Sequence, residues 1–357
     1  MFRRRKRPSF FEIEAMFRSQ LAPEFKQLER QRAAILRNFY LIFGWSLAFL
    51  AYLVFLTYPA IGLKSTTQQN LEGAIWGVFM AVILITGYVT SIKIRAFRSH
   101  FKERVMKPAA KRFFPELSYH PEAFVGKDFY DECDLFRKQL DTYSGNDLFR
   151  GKVGEVDFEF SELLCQYTSG VGDRRITHTA FRGFFFVGDF HRDLHFHTKI
   201  EPDLAENLFG VAGRGIQRFF SSDKRKLVDL ENLQFERVFK VTAADQVEAR
   251  FILTPKFMER LLDFYKRVGD RVHLSFCNGR MFLAISTTHD YFEPGVFGDI
   301  LSRKDLMKFI DMLLLLFSVA DELCHQPRVA TAPNPPKMPP LPDLHKGFIP
   351  TLKRTRT

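Results

Sequence analysis

Three histidines, His191, His195 and His197, fall within one seven-residue stretch, and His178 lies in the segment before them. Imidazole nitrogens ligate zinc, and Asp189 or Asp193 could complete a set with His191, His195 and His197. On an extended strand, His195 and His197 project to the same side. No C-x-x-C or H-E-x-x-H spacing accompanies them, and histidines also decorate exposed sheet faces. A metal-assisted hydrolase using the His191–His197 region is therefore the alternative reading, not the leading one. No cofactor is expected apart from a metal such as zinc on this cluster.

The remaining chemistry-bearing types are sparser. Gly210-Val211-Ala212-Gly213-Arg214-Gly215 precedes Arg218, but its glycine order fits neither a P-loop nor a dinucleotide fingerprint. A mobile loop is expected there, and Gly170–Arg174 reads as another loop or a hairpin end. Cys133, Cys165, Cys277 and Cys324 are widely spaced, which argues against a disulfide framework and for a reducing compartment. Cys165 and Cys277 fall in strand-like runs and are expected to be buried and inert. Ser161, Ser275 and Ser286 lack a G-x-S-x-G setting. The sequence carries no catalytic triad pattern and no paired-carboxylate site.

Something must position these groups, and the charge distribution says where it sits. The 357-residue chain carries a net charge of +11. Residues 1–38 hold ten Lys/Arg against four acids, residues 93–112 eight against one, and residues 327–357 six against one. Residues 113–326 are left mildly acidic, the opposite of a nucleic-acid-binding domain. No nucleic-acid partner is expected.

The basic flanks enclose two uncharged stretches. Between Arg37 and Lys64 the residues from Phe39 to Leu63 are uncharged and largely apolar, and Gly73–Ile92 lies likewise between Glu72 and Lys93. Each has the roughly 20 apolar residues that a helix needs to cross a bilayer. Trp76 and Tyr88 suit the interfaces. The expected order is a basic helical segment (1–38), a transmembrane helix (39–63), a short external loop (64–72), a second transmembrane helix (73–92), a basic helix (93–114), a folded domain (115–326) and a Pro-rich disordered tail (327–357). Positive charge on both outer flanks places both termini in the cytoplasm. The late start of the apolar run argues against a signal peptide. Arg3, Arg4, Arg5, Lys6 and Arg7 could hold anionic lipid headgroups.

Phe25, Leu28, Ile35 and Phe39 before the first span, and Ile94, Phe97, Phe101 and Val105 after the second, recur at helical spacing. These stripes predict either an antiparallel stalk or helices lying on the lipid surface. In the domain, Val125–Leu140 reads as a helix ended by Gly145 and Asn146. Strands are expected near 147–153, 155–168, 175–188, 193–200 and 235–242. Glu248 and Arg250 alternate with Ala249 and Phe251 as in a strand. Thr254-Pro255 opens a helix, and Asn278-Gly279 joins two alternating runs as a hairpin. Ser302 caps a last helix reaching about Cys324. The sum is an α+β protein: a two-helix transmembrane hairpin followed by a mixed, largely antiparallel cytoplasmic domain of about seven strands, rich in Phe, of which the chain has 41.

Phe181-Arg182-Gly183, Phe185–Phe190, Phe235–Val241, Asp245–Pro255, Phe257–Leu261, Leu274-Ser275-Phe276 and Phe292-Glu293-Pro294 together resemble an uncharacterised bacterial family of two-span membrane proteins, known only as a domain of unknown function. The resemblance runs from the first span to about residue 325. It implies a bacterial inner-membrane, multi-pass location, and it brings no activity, ligand or catalytic residue. The leading expectation is a membrane-anchored cytoplasmic binding or scaffold module rather than an enzyme. Its expected partner is a protein or an anionic lipid, and an oligomer is possible. The tail's Pro336-Lys337-Met338-Pro339 could dock on an aromatic groove.

Overall fold

The computed structural model of the chain describes residues 21–57, 66–136, 138–153, 156–170, 172–189, 196–202, 226–268, 272–287 and 292–296, with residues 11, 12, 15, 19, 194, 313 and 314 as isolated positions. Two long helices come first, α1 (Ala22–Thr57) and α2 (Thr66–Phe101). Both are long and apolar enough to cross a membrane, and almost none of either apolar stretch is buried. Lower down the hairpin the pattern changes. Leu21, Leu28 and Ile35, spaced by sevens, are buried against Phe97, Phe101 and Val105. Polar pairs run along the rim: Arg104 donates to Gln27 at 2.7 Å and to Glu24 at 3.1 Å. Of the two arrangements open to these stripes, the structure has the packed stalk.

α2 passes into a five-residue π-helical turn, Lys102–Met106, in which the Lys107 N–H reaches back to the Lys102 carbonyl. α3 (Lys107–Phe113) follows. A π-turn widens the helix by one residue, and Lys102, Val105, Met106, Ala109 and Ala110 are all buried.

Among the described residues nine antiparallel strands then make one sheet: β1 (Leu117–His120), β2 (Thr142–Val153), β3 (Val156–Ser169), β4 (Ile176–Asp189), β5 (Thr198–Pro202), β6 (Lys226–Leu227), β7 (Phe239–Ala243), β8 (Val272–Cys277) and β9 (Arg280–Ser286). Their order is β1-β2-β3-β4-β9-β8-β5-β7-β6, so among the described residues the sheet is open, with β1 and β6 at its edges. Among the described residues four shorter helices accompany it: α4 (Lys127–Glu132), α5 (Leu233–Glu236), α6 (Gln246–Ile252) and α7 (Pro255–Val268).

The Phe content is explained by two-sided burial of the central strands. On β4, Phe184 and Phe186 face one core and Phe185 and Val187 the other, as a period of two requires. The first core is continuous from the stalk through Phe149, Phe158 and Phe160 to α7. The second is smaller and lies under residues 123–136. At Gly183, φ is +146° and a Cβ would meet the Ile285 carbonyl oxygen at 2.0 Å, so only glycine lets β4 and β9 approach there.

The α+β architecture and the antiparallel sheet are as the sequence predicts. Asn278 (φ 49°) and Gly279 (φ 72°) form the turn between β8 and β9. Thr254 Oγ1 accepts from the Phe257 N–H, the expected cap of α7. Two expectations are corrected. Residues 246–252 are helix α6, not a strand, capped by Asp245, whose carboxylate accepts from the Glu248 N–H at 2.8 Å. Gly145 and Asn146 do not end a helix; α4 stops at Glu132, and both residues lie in β2. The expected helix from Ser302 falls outside the described residues except at positions 313 and 314, and the tail falls wholly outside them.

Candidate functional site at the base of the helical hairpin

The densest polar constellation joins the hairpin to the sheet. β2 carries a bulge between Asn146 and Phe149, and Asp147 sits in it with φ at 59°. A short polar side chain tolerates that left-handed backbone, and the bulge re-aims it. Asp147 is fully buried. Its Oδ2 accepts from Lys102 Nζ at 2.7 Å, and its Oδ1 accepts from the Tyr119 hydroxyl on β1. Burial, with the Asp147 charge second, pushes the Tyr119 phenol far above its ordinary range, so it remains a donor.

The network extends outward. Glu293 Oε1 lies 4.0 Å from Lys102 Nζ, and its Oε2 lies 2.5 Å from Arg98 Nη1, one turn up α2. Glu293 is positioned by Phe292, which is buried with its ring 5.5 Å from Phe149 and 5.4 Å from Phe184. Five segments thus converge: α2, the π-turn, β1, the β2 bulge and residues 292–296. With only 5% of its side chain exposed, Lys102 cannot exchange its carboxylate for water. A buried pair of this kind is costly to break and fixes one mutual arrangement of the parts it joins.

A second constellation holds residues 132–134 to the opposite side of the sheet. Arg280 Nη1 donates to both Glu132 oxygens, at 3.1 and 3.0 Å, and its guanidinium lies 5.2 Å from the Phe129 ring centre. Lys199 Nζ lies 3.1 Å from Asp134 Oδ2. His197 Nε2 contacts both the Cys133 carbonyl oxygen, at 3.1 Å, and Ser275 Oγ. Ser275, His197 and Asp134 are thus brought together although far apart in sequence, in an order that invites comparison with a nucleophile, base and orienting acid.

The geometry argues against that chemistry. A carbonyl oxygen only accepts, so Nε2 carries its proton toward Cys133 and cannot also take one from Ser275. Asp134 lies 3.9 Å from Nδ1, beyond hydrogen-bond reach. Ser275 is completely buried. His197 reads as a latch between the 132–134 turn and β8.

Of the predicted ligands, His191, Asp193 and His195 lie outside the described residues, as does the Gly210–Gly215 stretch. His178 stacks on Tyr167 at the β3–β4 tip, and two strands separate β4 from the β5 strand that begins beside His197. Asp189 is buried at the end of β4, opposite Arg280. Among the described residues no group of three potential metal ligands converges. Cys133, Cys165 and Cys277 are buried free thiols, each pushed up to about 12 by burial. Ser161 Oγ accepts from the Val125 N–H at 3.0 Å.

Sequence reasoning missed Lys102, Tyr119, Asp147 and Glu293 as a set. The available signal was faint: Glu293 stands in the Phe292-Glu293-Pro294 motif, but Lys102 reads as one more cation in a basic segment.

Residues 179–324 match the family described as "Protein of unknown function (DUF3137)". The match is narrower than the resemblance read from the sequence and covers less than half of the chain; it includes Glu293 but not Lys102, Tyr119 or Asp147. No curated protein matches the chain. Among solved structures, the crystal structure of the mycobacterial trehalose monomycolate transport factor A, TtfA, is similar at 11% identity, covering 64% of this chain and 98% of that one, with a TM-score of 0.31. A likeness of that size carries no functional argument.

Proposed function

We propose that the chain is a membrane-anchored binding module, in which the helical hairpin crosses the bilayer and holds the antiparallel sheet at a fixed position on the cytoplasmic side. One observation carries the reading: the apolar core runs without a break from the stalk into the sheet, and the buried Lys102–Asp147 pair locks that junction. A tether needs only a flexible linker. A rigid join suits a platform whose orientation to the membrane matters to what binds it. The spans support the membrane half. Trp45, Val78 and Leu84 are exposed by 75, 66 and 68%, an apolar surface larger than water tolerates. The bound species is a protein or an anionic lipid; both termini inside follows the charge flanks, and a bacterial inner membrane is what the resemblance to the two-span family implies.

The test has two arms. Ser118→Cys, at an exposed position of β1, is expected to escape a membrane-impermeant maleimide in intact cells and to react after lysis. A cysteine at Gln69 in the predicted external segment is expected to react in intact cells. Reversal of the two overturns the topology. Photocrosslinkers placed on the sheet at native expression are expected to capture one recurrent species. Recovery of nothing from any sheet position removes the binding role.

A further inference from the structure

We infer that the free edge of β4, from Ile176 to Thr179, is a docking site for an acidic peptide in extended form, which adds to the sheet as a further strand. The inference rests on the binding-module reading and names a site and a partner class for it. The register of the sheet leaves this edge open. β4 pairs with β3 from Ile176 to Gly188, but with β9 only from Gly183 to Asp189. The Thr287 N–H closes that second ladder on the Arg182 carbonyl at 3.0 Å. Phe292, five residues on, lies on the face of the sheet against Phe149 and Phe184. Among the described residues no strand pairs with the outer side of β4 before Arg182. A bulge leaves Ala180 without a partner on β3, so the regular part of the edge is Ile176–Thr179. In an antiparallel strand alternate residues turn their N–H and C=O outward, and an edge of this kind is a template for main-chain pairing. Its exposed residues, Ile176, Thr177 and Thr179, are of the types that favour strands.

The charges around the edge select the occupant. From Gly170 to Gly183 the sequence holds Arg174, Arg175 and Arg182 against one acid, Asp173. All three arginines are exposed, and no ion pair of theirs is found among the described residues. Lys138 adds a cation over the Tyr167 ring of the neighbouring strand β3, 5.3 Å from its centre. Asp141, on the far side of β3, accepts from the Thr168 N–H. Arg174 and Arg175 stand before the edge and Arg182 beyond it. Arg182 is seven residues from Arg175, at most about 23 Å of strand at about 3.3 Å each. The cations need not share a face, because the side chains of an added strand alternate and each end can bring a carboxylate to its own arginine. A second copy fits poorly. Antiparallel pairing of two such edges about Thr179 brings Arg182 of each to the Arg175 end of the other, and like charges across a pair are destabilising. The chain's own residues 327–357, with six Lys/Arg against one acid, are repelled in the same way.

The test titrates the full-length chain, in neutral detergent at low salt, into the dye-labelled peptide Glu-Thr-Glu-Val-Glu-Thr-Glu and reads fluorescence anisotropy. The acidic peptide is expected to bind, and Lys-Thr-Lys-Val-Lys-Thr-Lys is expected not to. Main-chain pairing is read from the peptide itself. Methylating one alternate set of its amide nitrogens should abolish binding, and methylating the other set should leave it, since only one set faces the edge. Arg174→Gln, Arg175→Gln and Arg182→Gln should each weaken binding about two- to fivefold, as exposed ion pairs worth up to ~1 kcal/mol allow. Lys256→Gln with Lys266→Gln, on α7, should leave it unchanged. Equal binding of the two methylated peptides, or of the lysine peptide, overturns the edge site, and so does absence of binding by the parent protein. Affinity unmoved by all three arginine substitutions would put the peptide on another edge and overturns it too. In any of these events, photocrosslinking capture from other sheet positions leaves the binding module standing, and capture from none overturns both.

Discussion

The two halves of the helical hairpin obey different rules along one continuous pair of helices. In the lower half, Leu28 and Ile35 are 1 and 6% exposed, and the outward positions carry Lys26, Arg30 and Arg37. In the upper half, Leu41, Phe43 and Leu47 are 55 to 60% exposed, and no charge appears anywhere around the helix. Each helix has 36 residues, about 54 Å at 1.5 Å per residue, against about 30 Å of hydrocarbon. One helix therefore has room both to cross and to descend as a stalk. Water demands a one-sided apolar stripe from the lower half, while lipid accepts an apolar surface on every side of the upper half. If the hairpin crosses a membrane as proposed, burial at the bottom and exposure at the top are the same preference expressed in two solvents.

The largest effect is expected where the lower half meets the sheet. Lys102→Met strands the Asp147 carboxylate in the core and should cost about 3–5 kcal/mol in denaturant unfolding of the full chain in detergent. Lys102→Met combined with Asp147→Leu should recover most of that loss, because a well-packed apolar pair replaces the ionic one. No recovery in the double variant would mean that the junction needs the charges themselves.

The sheet should also respond to acid in a way the spans do not. Burial lowers the His273 pKa to about 4 from its ordinary 6.5. The depressed base contributes stability that is fully present above pH 6.5 and is lost as pH falls toward 4, with a slope of up to ~1.4 kcal/mol per pH unit. The parent chain should show this limb in unfolding midpoints between pH 6.5 and 4, and His273→Phe should flatten it. An unaltered slope would place the responsible group elsewhere.

Leu28→Ala and Leu47→Ala compare the halves directly. The first should destabilise by about 2 kcal/mol or more, through lost transfer energy and a cavity between the stalk helices. The second should stay within about 0.5 kcal/mol in detergent, since Leu47 meets solvent rather than a partner. Equal costs would mean that the upper half packs against protein.

Much of this division was legible in the sequence, because it rests on local pattern: runs without charge, helical stripes, Asn-Gly, Thr-Pro. The misreadings have local causes too. Around α6, Glu248-Ala249-Arg250-Phe251 alternates like a strand, yet Asp245 and Glu248 have capping-box spacing, and the buried Ala249 and Ile252 stand three apart as on a helix. Gly145 and Asn146 suggested a terminus because bulges and turns favour the same residues. The junction itself was hidden for a different reason. Lys102 and Asp147 lie 45 residues apart, and neither advertises burial. A π-turn and a bulge bring them together, and both are tertiary adjustments with no period to read.

A small effect is also expected one turn above the largest. Arg98 and Glu293 are 2.5 Å apart, closer than Lys102 and Asp147, yet the Arg98 side chain is 42% exposed. Water can solvate the guanidinium when the pair opens, so Arg98→Gln should cost about 0.2–1 kcal/mol, against several for Lys102→Met. The ratio between these neighbours on one helix face measures how quickly the dielectric rises away from the junction. If Arg98→Gln matched Lys102→Met, Glu293 rather than Asp147 would be the carboxylate that anchors the hairpin, and the seat of the join would move from the β2 bulge to residues 292–296.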